Sequence, residues 1–185
     1  MFKRWSNFLI SRNIIAPEDA EVQEYGLFCL VETISFHAAQ LLLAIFLHLV
    51  PETLLFDATF LLLRSHTGGY HASTPMRCFV MSIAVWAGLM LACHYVPVGI
   101  CLALGLLSVL VIWRIAPLPH ENNPFSPERL VQVTHRMHII LILLVLLSGL
   151  FLALQLWIFA RLVLLVLVCI AFSLYMAWRK SNVNI

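Results

Sequence analysis

Between Met137 and Trp178 the chain carries a single charged side chain, Arg161. An apolar stretch of that length belongs in a bilayer, where every backbone N–H and C=O must be satisfied within the segment itself, as a helix does. His138 to Leu156 and Leu162 to Met176 therefore read as two membrane spans, with a connection around Trp157 and Arg161. The rest of the chain agrees: 62% of its 185 residues are hydrophobic, 11% are charged, and its mean hydropathy is +0.97. Soluble domains carry about a quarter charged residues. The sequence predicts an all-α, polytopic membrane protein of about six transmembrane helices, forming one integral-membrane domain over residues 1–185 with an N-terminal amphipathic interfacial helix.

That amphipathic segment covers residues 1–16. Phe2, Trp5, Phe8, Leu9 and Ile15 can share one side of a helix, with Lys3, Arg4 and Arg12 towards water. Asn7, Ser11 and Asn13 interrupt the apolar run that a cleavable signal peptide needs. After Pro17, an acidic patch (Glu18, Asp19, Glu21, Glu24) leads into Tyr25 to Val50, long enough to span a bilayer, which takes about 20 residues. Glu32 and His37 lie inside that span. Ionisable groups at membrane depth are costly and tend to face the bundle interior or a wet cavity. Thr53 to Leu63 is apolar apart from Asp57 but short for a span. Either its helix runs on into the polar residues that follow, or it dips into the membrane. Phe79 to Tyr95 and Val98 to Trp113 are further spans. The connection over residues 114–136 contains Pro117, Pro119 and Pro124, which exclude a helix there, and Glu128 to Arg136 resumes one.

The basic residues set the orientation. With six spans, Lys3, Arg4, Arg12, Arg64, Arg77, Arg114, Arg129, Arg136, Arg179 and Lys180 fall on one side and Arg161 alone on the other. Lysine and arginine favour the cytoplasm. Both termini, the polar stretch 64–79 and the 114–136 loop are thus expected on the cytoplasmic side of a cell membrane, with the two polar loops sharing a face. The net charge of +2 implies no nucleic-acid partner.

Residues 64–79 are a polar island, Arg-Ser-His-Thr-Gly-Gly-Tyr-His-Ala-Ser-Thr-Pro-Met-Arg-Cys-Phe. His71 and Cys78 stand seven residues apart. On one helix that spacing separates them by roughly 10 Å, too far for proton transfer. Ser73-Thr74-Pro75, however, reads as a helix start with proline at the first position. Cys78 then lies in the first turn, and His71 in the preceding loop can fold back to it. The helix N-terminus and the adjacent Arg77 both favour thiolate. Gly68 and Gly69 give the loop backbone freedom and can bring N–H groups near a substrate carbonyl. The pair suits acyl transfer through a thioester: Cys78 attacks a peptide carbonyl, and His71 takes the thiol proton and returns it to the departing amine. Asp57, Glu32 and Glu121 are the acids available to orient the imidazole. Arg64 can hold the island or bind a carboxylate.

Other chemistry has less support. His66, His71, Cys78, His120, His135 and His138 supply enough ligands for zinc, but no spacing among them is diagnostic. Cys29, Cys93, Cys101 and Cys169 lie in apolar runs, where cysteine behaves as a small hydrophobe. No metal and no cofactor is expected.

Arg64, Gly68-Gly69-Tyr70-His71-Ala72 and Cys78, with the loop Ala116-Pro117…Glu121-Asn122-Asn123-Pro124, resemble the signature of the accessory gene regulator B (AgrB) membrane endopeptidases. Length, span number and the amphipathic start resemble that family too. The resemblance implies a thiol protease of peptide-pheromone maturation. Cys78 would be nucleophile and His71 base, with Arg64 and Gly69 in support. The substrate would be an amphipathic AgrD-type pro-peptide at the bilayer surface, cut at its C-terminal side and cyclised to a thiolactone or lactone quorum-sensing signal. It also implies a homodimer. The rival from another class is a peptide exporter without proteolytic activity, for which Glu32 and His37 would suit a transport path; a metal-dependent membrane protease is a third reading.

Overall fold

The computed structural model describes residues 20–69, 75–118 and 127–183, together with four single positions among the first nineteen. The amphipathic segment expected over 1–16 otherwise lies outside the described residues. Among the described residues from Ala20 onward six helices follow in order: α1 (Ala20–Phe46), α2 (Val50–Thr67), α3 (Pro75–Tyr95), α4 (Val98–Ile115), α5 (Pro127–Ala153) and α6 (Trp157–Val183). The described residues contain no strand.

Met76–Tyr95, Val98–Ile115, Glu128–Ala153 and Trp157–Arg179 are long and apolar enough to cross a membrane, and Leu30–Phe46 is a shorter apolar stretch. α2 differs in carrying Glu52, Asp57 and Arg64 within its 18 residues. The fold is that of a polytopic, all-α membrane protein. Its outward faces agree, since leucines such as Leu42, Leu91, Leu106, Leu110 and Leu146 are exposed on the bundle as lipid-facing residues must be.

The core is organised around α6. Leu162, Val163, Leu164, Leu165, Val166 and Leu167 are all buried in succession, so this part of the helix is covered on every side. α2, α3, α4 and α5 each pack on it. α4 offers α6 a face of Cys101, Gly105, Ser108 and Ile112, all buried. Gly105 allows the close approach: a Cβ there would lie 2.7 Å from Leu164 Cδ2, the small-residue device by which membrane helices pack without a hydrophobic driving force. α1 packs chiefly on α2 and α3.

Several boundaries differ from the sequence reading. The first span ends at Phe46, not Val50, and α5 ends at Ala153, not Leu156. Both ends close the same way. Residues His48 (φ 57°) and Gln155 (φ 60°) take the left-handed conformation. The next N–H reaches back five residues, from Leu49 to Ala44 O and from Leu156 to Phe151 O, each at 2.8 Å. This satisfies the last carbonyls in the manner usually reserved for glycine.

The expected connection around Trp157 and Arg161 is instead the first turns of α6. Arg161 is accommodated because its Nη1 donates to the carbonyls of His94 and Val96, each at 3.2 Å. Glu128 to Arg136 and His138 onward form one continuous helix. The Thr53 helix runs on through Arg64 to Thr67, so the front of the polar island is helical.

Candidate functional site

Helix α3 begins at Pro75, as the Ser-Thr-Pro signal predicts, and Cys78 falls in its first turn, half-buried. Tyr70, His71 and residues 72–74 lie outside the described residues, as does Glu121. The expected meeting of His71 and Cys78 therefore remains an expectation of the sequence.

The end of α2 supplies the surroundings. Arg64 is half-buried, and its Nη1 donates to the carbonyl of Gly68. The guanidinium lies over Gly69. A Cβ there (φ +137°) would overlap it, with Arg64 Cζ at 2.8 Å and Ser173 Oγ of α6 at 2.9 Å. The same guanidinium is close enough to the Cys78 and Cys169 thiols to interact with both electrostatically. One cation thus joins α2, the first turn of α3 and the 169–173 face of α6. Arg77, by contrast, is exposed.

Gly68 is fixed for a different reason. Its φ is +71°, and a Cβ would lie 2.6 Å from the carbonyl oxygen of Leu118. Leu118 N in turn donates to Thr67 O at 3.0 Å. The two polar connections therefore touch, residues 67–69 against 116–118, at the end of the bundle that holds Cys78. The Arg161 clamp on residues 94–96 marks the opposite end.

The carboxylates are sorted by depth. Asp57 Oδ1 accepts a hydrogen bond from Gln40 Nε2 at 2.9 Å, Gln40 Oε1 lies 3.2 Å from His37 Nδ1, and His37 Nδ1 is 3.5 Å from Asp57 Oδ2. This cluster joins α1 to α2 seven residues, or roughly 10 Å along the helix, below Arg64. Glu32 is placed differently. Phe36, one turn after it, meets Phe79 edge-on at 6.4 Å, so that face of α1 lies against the first turns of α3. Glu32 Oε1 is buried with no hydrogen-bond partner among the described residues.

The residues weighed for a metal do not converge among those described. His138 stacks on Trp113 at 3.9 Å, and His66 Nδ1 lies 2.9 Å from Leu62 O. No group of three or more His, Cys, Asp or Glu side chains is close enough to hold an ion among the described residues.

Sequence reasoning missed Ser173, Cys169 as a neighbour of Arg64, and Gln40. Each is a polar or thiol side chain flanked by apolar neighbours, and nothing in a linear sequence says which face it takes.

The sequence profile of the accessory gene regulator B (AgrB) family matches residues 2–176. The chain belongs to that family. Among its AgrB relatives, the accessory gene regulator protein B of Staphylococcus intermedius is 31% identical over 104 residues, 55% of each chain. An AgrB-like protein 2 of Clostridium perfringens strain 13 is 22% identical over 121 residues, 60% of this chain and 56% of its own. A second AgrB-like protein, of strain SM101, is 21% identical over the same length. The chain thus spans little more than half the length of the relatives it matches. No solved structure matches it.

Proposed function

We propose that this AgrB-family protein is a membrane-embedded cysteine endopeptidase that cleaves a short AgrD-type pro-peptide through a thioester and promotes its cyclisation. The observation that carries the reading is Cys78 in the first turn of α3, with the Arg64 guanidinium within electrostatic range of its thiol. A helix N-terminus and a nearby cation both favour thiolate, the form that attacks.

In the first half-reaction Cys78 Sγ bonds to the scissile carbonyl carbon. His71 receives the thiol proton and delivers it to the amine that leaves as the C–N bond breaks. In the second, a side-chain thiol or hydroxyl of the bound peptide attacks the thioester, Cys78 leaves, and a thiolactone or lactone ring closes. Water attacking in its place would give the linear acid, so a site that excludes water favours the ring. Residues 67–69 and 116–118 are the described segments at that end of the bundle, and Gly68 and Gly69 supply closely packed glycine backbone there. Arg77, exposed one residue before the nucleophile, adds positive charge at the mouth.

Of the three acids, Glu32 is the best supported as the group that orients His71. In an up-and-down bundle α1 and α3 run parallel. A residue one turn before Phe36 therefore lies level with the start of α3, which comes four residues after His71 in the sequence. Asp57 is already bound to Gln40 well below that level. The basic side chains favour a cytoplasmic location for the site and both termini, where an amphipathic peptide on the inner leaflet would meet it.

The test is co-expression with a candidate pro-peptide, read by mass spectrometry. Loss of the C-terminal fragment in both Cys78→Ser and His71→Ala, at normal membrane levels, supports the assignment. Continued cleavage by Cys78→Ala sinks it. Export of an uncut peptide by the wild type would favour a transporter instead.

A further inference from the structure

The sixth helix reads in sequence as a plain membrane anchor, yet its 169–173 face fronts the catalytic end of the bundle. We propose that Ser173 is a positioning residue for the proposed cysteine chemistry: its hydroxyl, on α6, seats the Arg64 guanidinium over Gly69 and so holds the cation at Cys78.

Three observations converge. The point where a Gly69 Cβ would stand has Ser173 Oγ at 2.9 Å and Arg64 Cζ at 2.8 Å, so the guanidinium takes, beside the hydroxyl, the space that residue 69 leaves open by being glycine. Cys169, one turn earlier on the same face of α6, also lies within electrostatic reach of Arg64. The guanidinium is therefore walled by α6 over a full turn. Finally, Gly68 O accepts from Arg64 Nη1, which fixes one edge of the fork. A guanidinium has five N–H donors in rigid planar geometry and no acceptor. A hydroxyl beside it can accept one of those protons, whereas a methyl group cannot.

The wall itself belongs to the most deeply buried of the membrane-length helices among the described residues. The buried run Leu162–Leu167 and the buried Ile170, Ala171 and Leu174 pin α6 on either side of Ser173. A cation carried on a long arginine side chain has many rotamers. Holding it against such a helix restricts it to the one seated over Gly69, within electrostatic range of Cys78. This inference rests on Cys78 being the nucleophile, and it adds α6 to a site that the sequence places on residues 64–79 with an orienting acid from Asp57, Glu32 or Glu121.

The test compares Ser173→Ala, Ser173→Val and Ser173→Thr in the full chain, reconstituted in proteoliposomes with the pro-peptide. Threonine keeps the hydroxyl; valine has threonine's shape without it. Two readouts are taken: kcat and KM for cleavage, and the rate of Cys78 alkylation by iodoacetamide at one fixed pH, resolved by peptide mass spectrometry from the other cysteines. The expected result is a loss of kcat of roughly tenfold in the alanine and valine variants, the size associated with losing a charge-assisted hydrogen bond. KM stays within about twofold, Cys78 alkylation slows in parallel, and threonine restores both. Wild-type alkylation rates in the alanine and valine variants overturn the proposal. So does an equal loss in all three, which marks a packing role. The alkylation arm needs no turnover. If Cys78→Ala still cleaved the peptide, the endopeptidase reading would fail while the effect of Ser173 on the Cys78 thiol would still be decided.

Discussion

The backbone N–H of Leu118 donates to the carbonyl of Thr67 at 3.0 Å. Through this bond the connection leaving α4 is fastened to the last residue of α2, beside the glycine pair. The contact is backbone to backbone, so it depends on the path of the chain and not on which side chains occupy 67 and 118.

Gly68→Ala tests that path. The substitution places a Cβ 2.6 Å from Leu118 O at a φ of +71°, combining left-handed strain with a clash against backbone that cannot rotate away. A loss of about 1–3 kcal/mol is expected. A lowered unfolding midpoint in detergent, accompanied by reduced processing, would meet the expectation; an unchanged midpoint would contradict the described contact.

Glu32→Gln keeps shape and removes charge. If Glu32 orients His71, kcat for pro-peptide cleavage should fall by at least tenfold, with membrane level and KM little changed. Asp57→Asn is the comparison, expected to leave kcat near wild type. The reverse ranking would return the role to Asp57.

The Gln40 bridge carries a stability prediction. Gln40 is fully buried and donates to Asp57 at 2.9 Å. Gln40→Leu leaves that carboxylate oxygen without its donor and is expected to cost about 2 kcal/mol. Gln40→Leu combined with Asp57→Leu removes both partners and should recover much of the loss, because an unmade buried bond costs more than an absent one. Denaturant titration of the single and double variants measures the difference. Equal losses that simply add would show no coupling.

Gly105→Val probes the approach of α4 to α6. The first added carbon meets Leu164 Cδ2 at 2.7 Å and Cβ at 3.2 Å. The branched side chain cannot be absorbed by one leucine rotamer, and a loss of roughly 2 kcal/mol is expected from overpacking. Gly99→Val, where a Cβ would meet nothing within 4 Å, is the matched control and should unfold near the wild-type midpoint.

What the sequence made legible is what local chemistry dictates. Ser73-Thr74-Pro75 announces the start of α3 because proline has no N–H to lose at that position, and Cys78 in the first turn follows by counting. The ends at His48 and Gln155 were hidden because both take a left-handed conformation with side chains that do not advertise it. Arg161 looked like a loop residue because a guanidinium in an apolar run suggests water; its donors are met instead by carbonyls 65 and 67 residues away. Ser173 and Gln40 were unreadable for a related reason. Their importance lies in which neighbour they face, and that is set by the packing of α6 and α1, not by any spacing along the chain.

The burial of α6 also has a temporal side. A ribosome delivers α1 to α5 before the helix that four of them are built to grip, so the apolar faces of α4 and α5 enter the bilayer with lipid as their first companion. Assembly of the bundle is consequently an exchange, lipid leaving those faces as the sixth helix arrives, and the period before that exchange is when quality-control proteases would find the nascent protein most open.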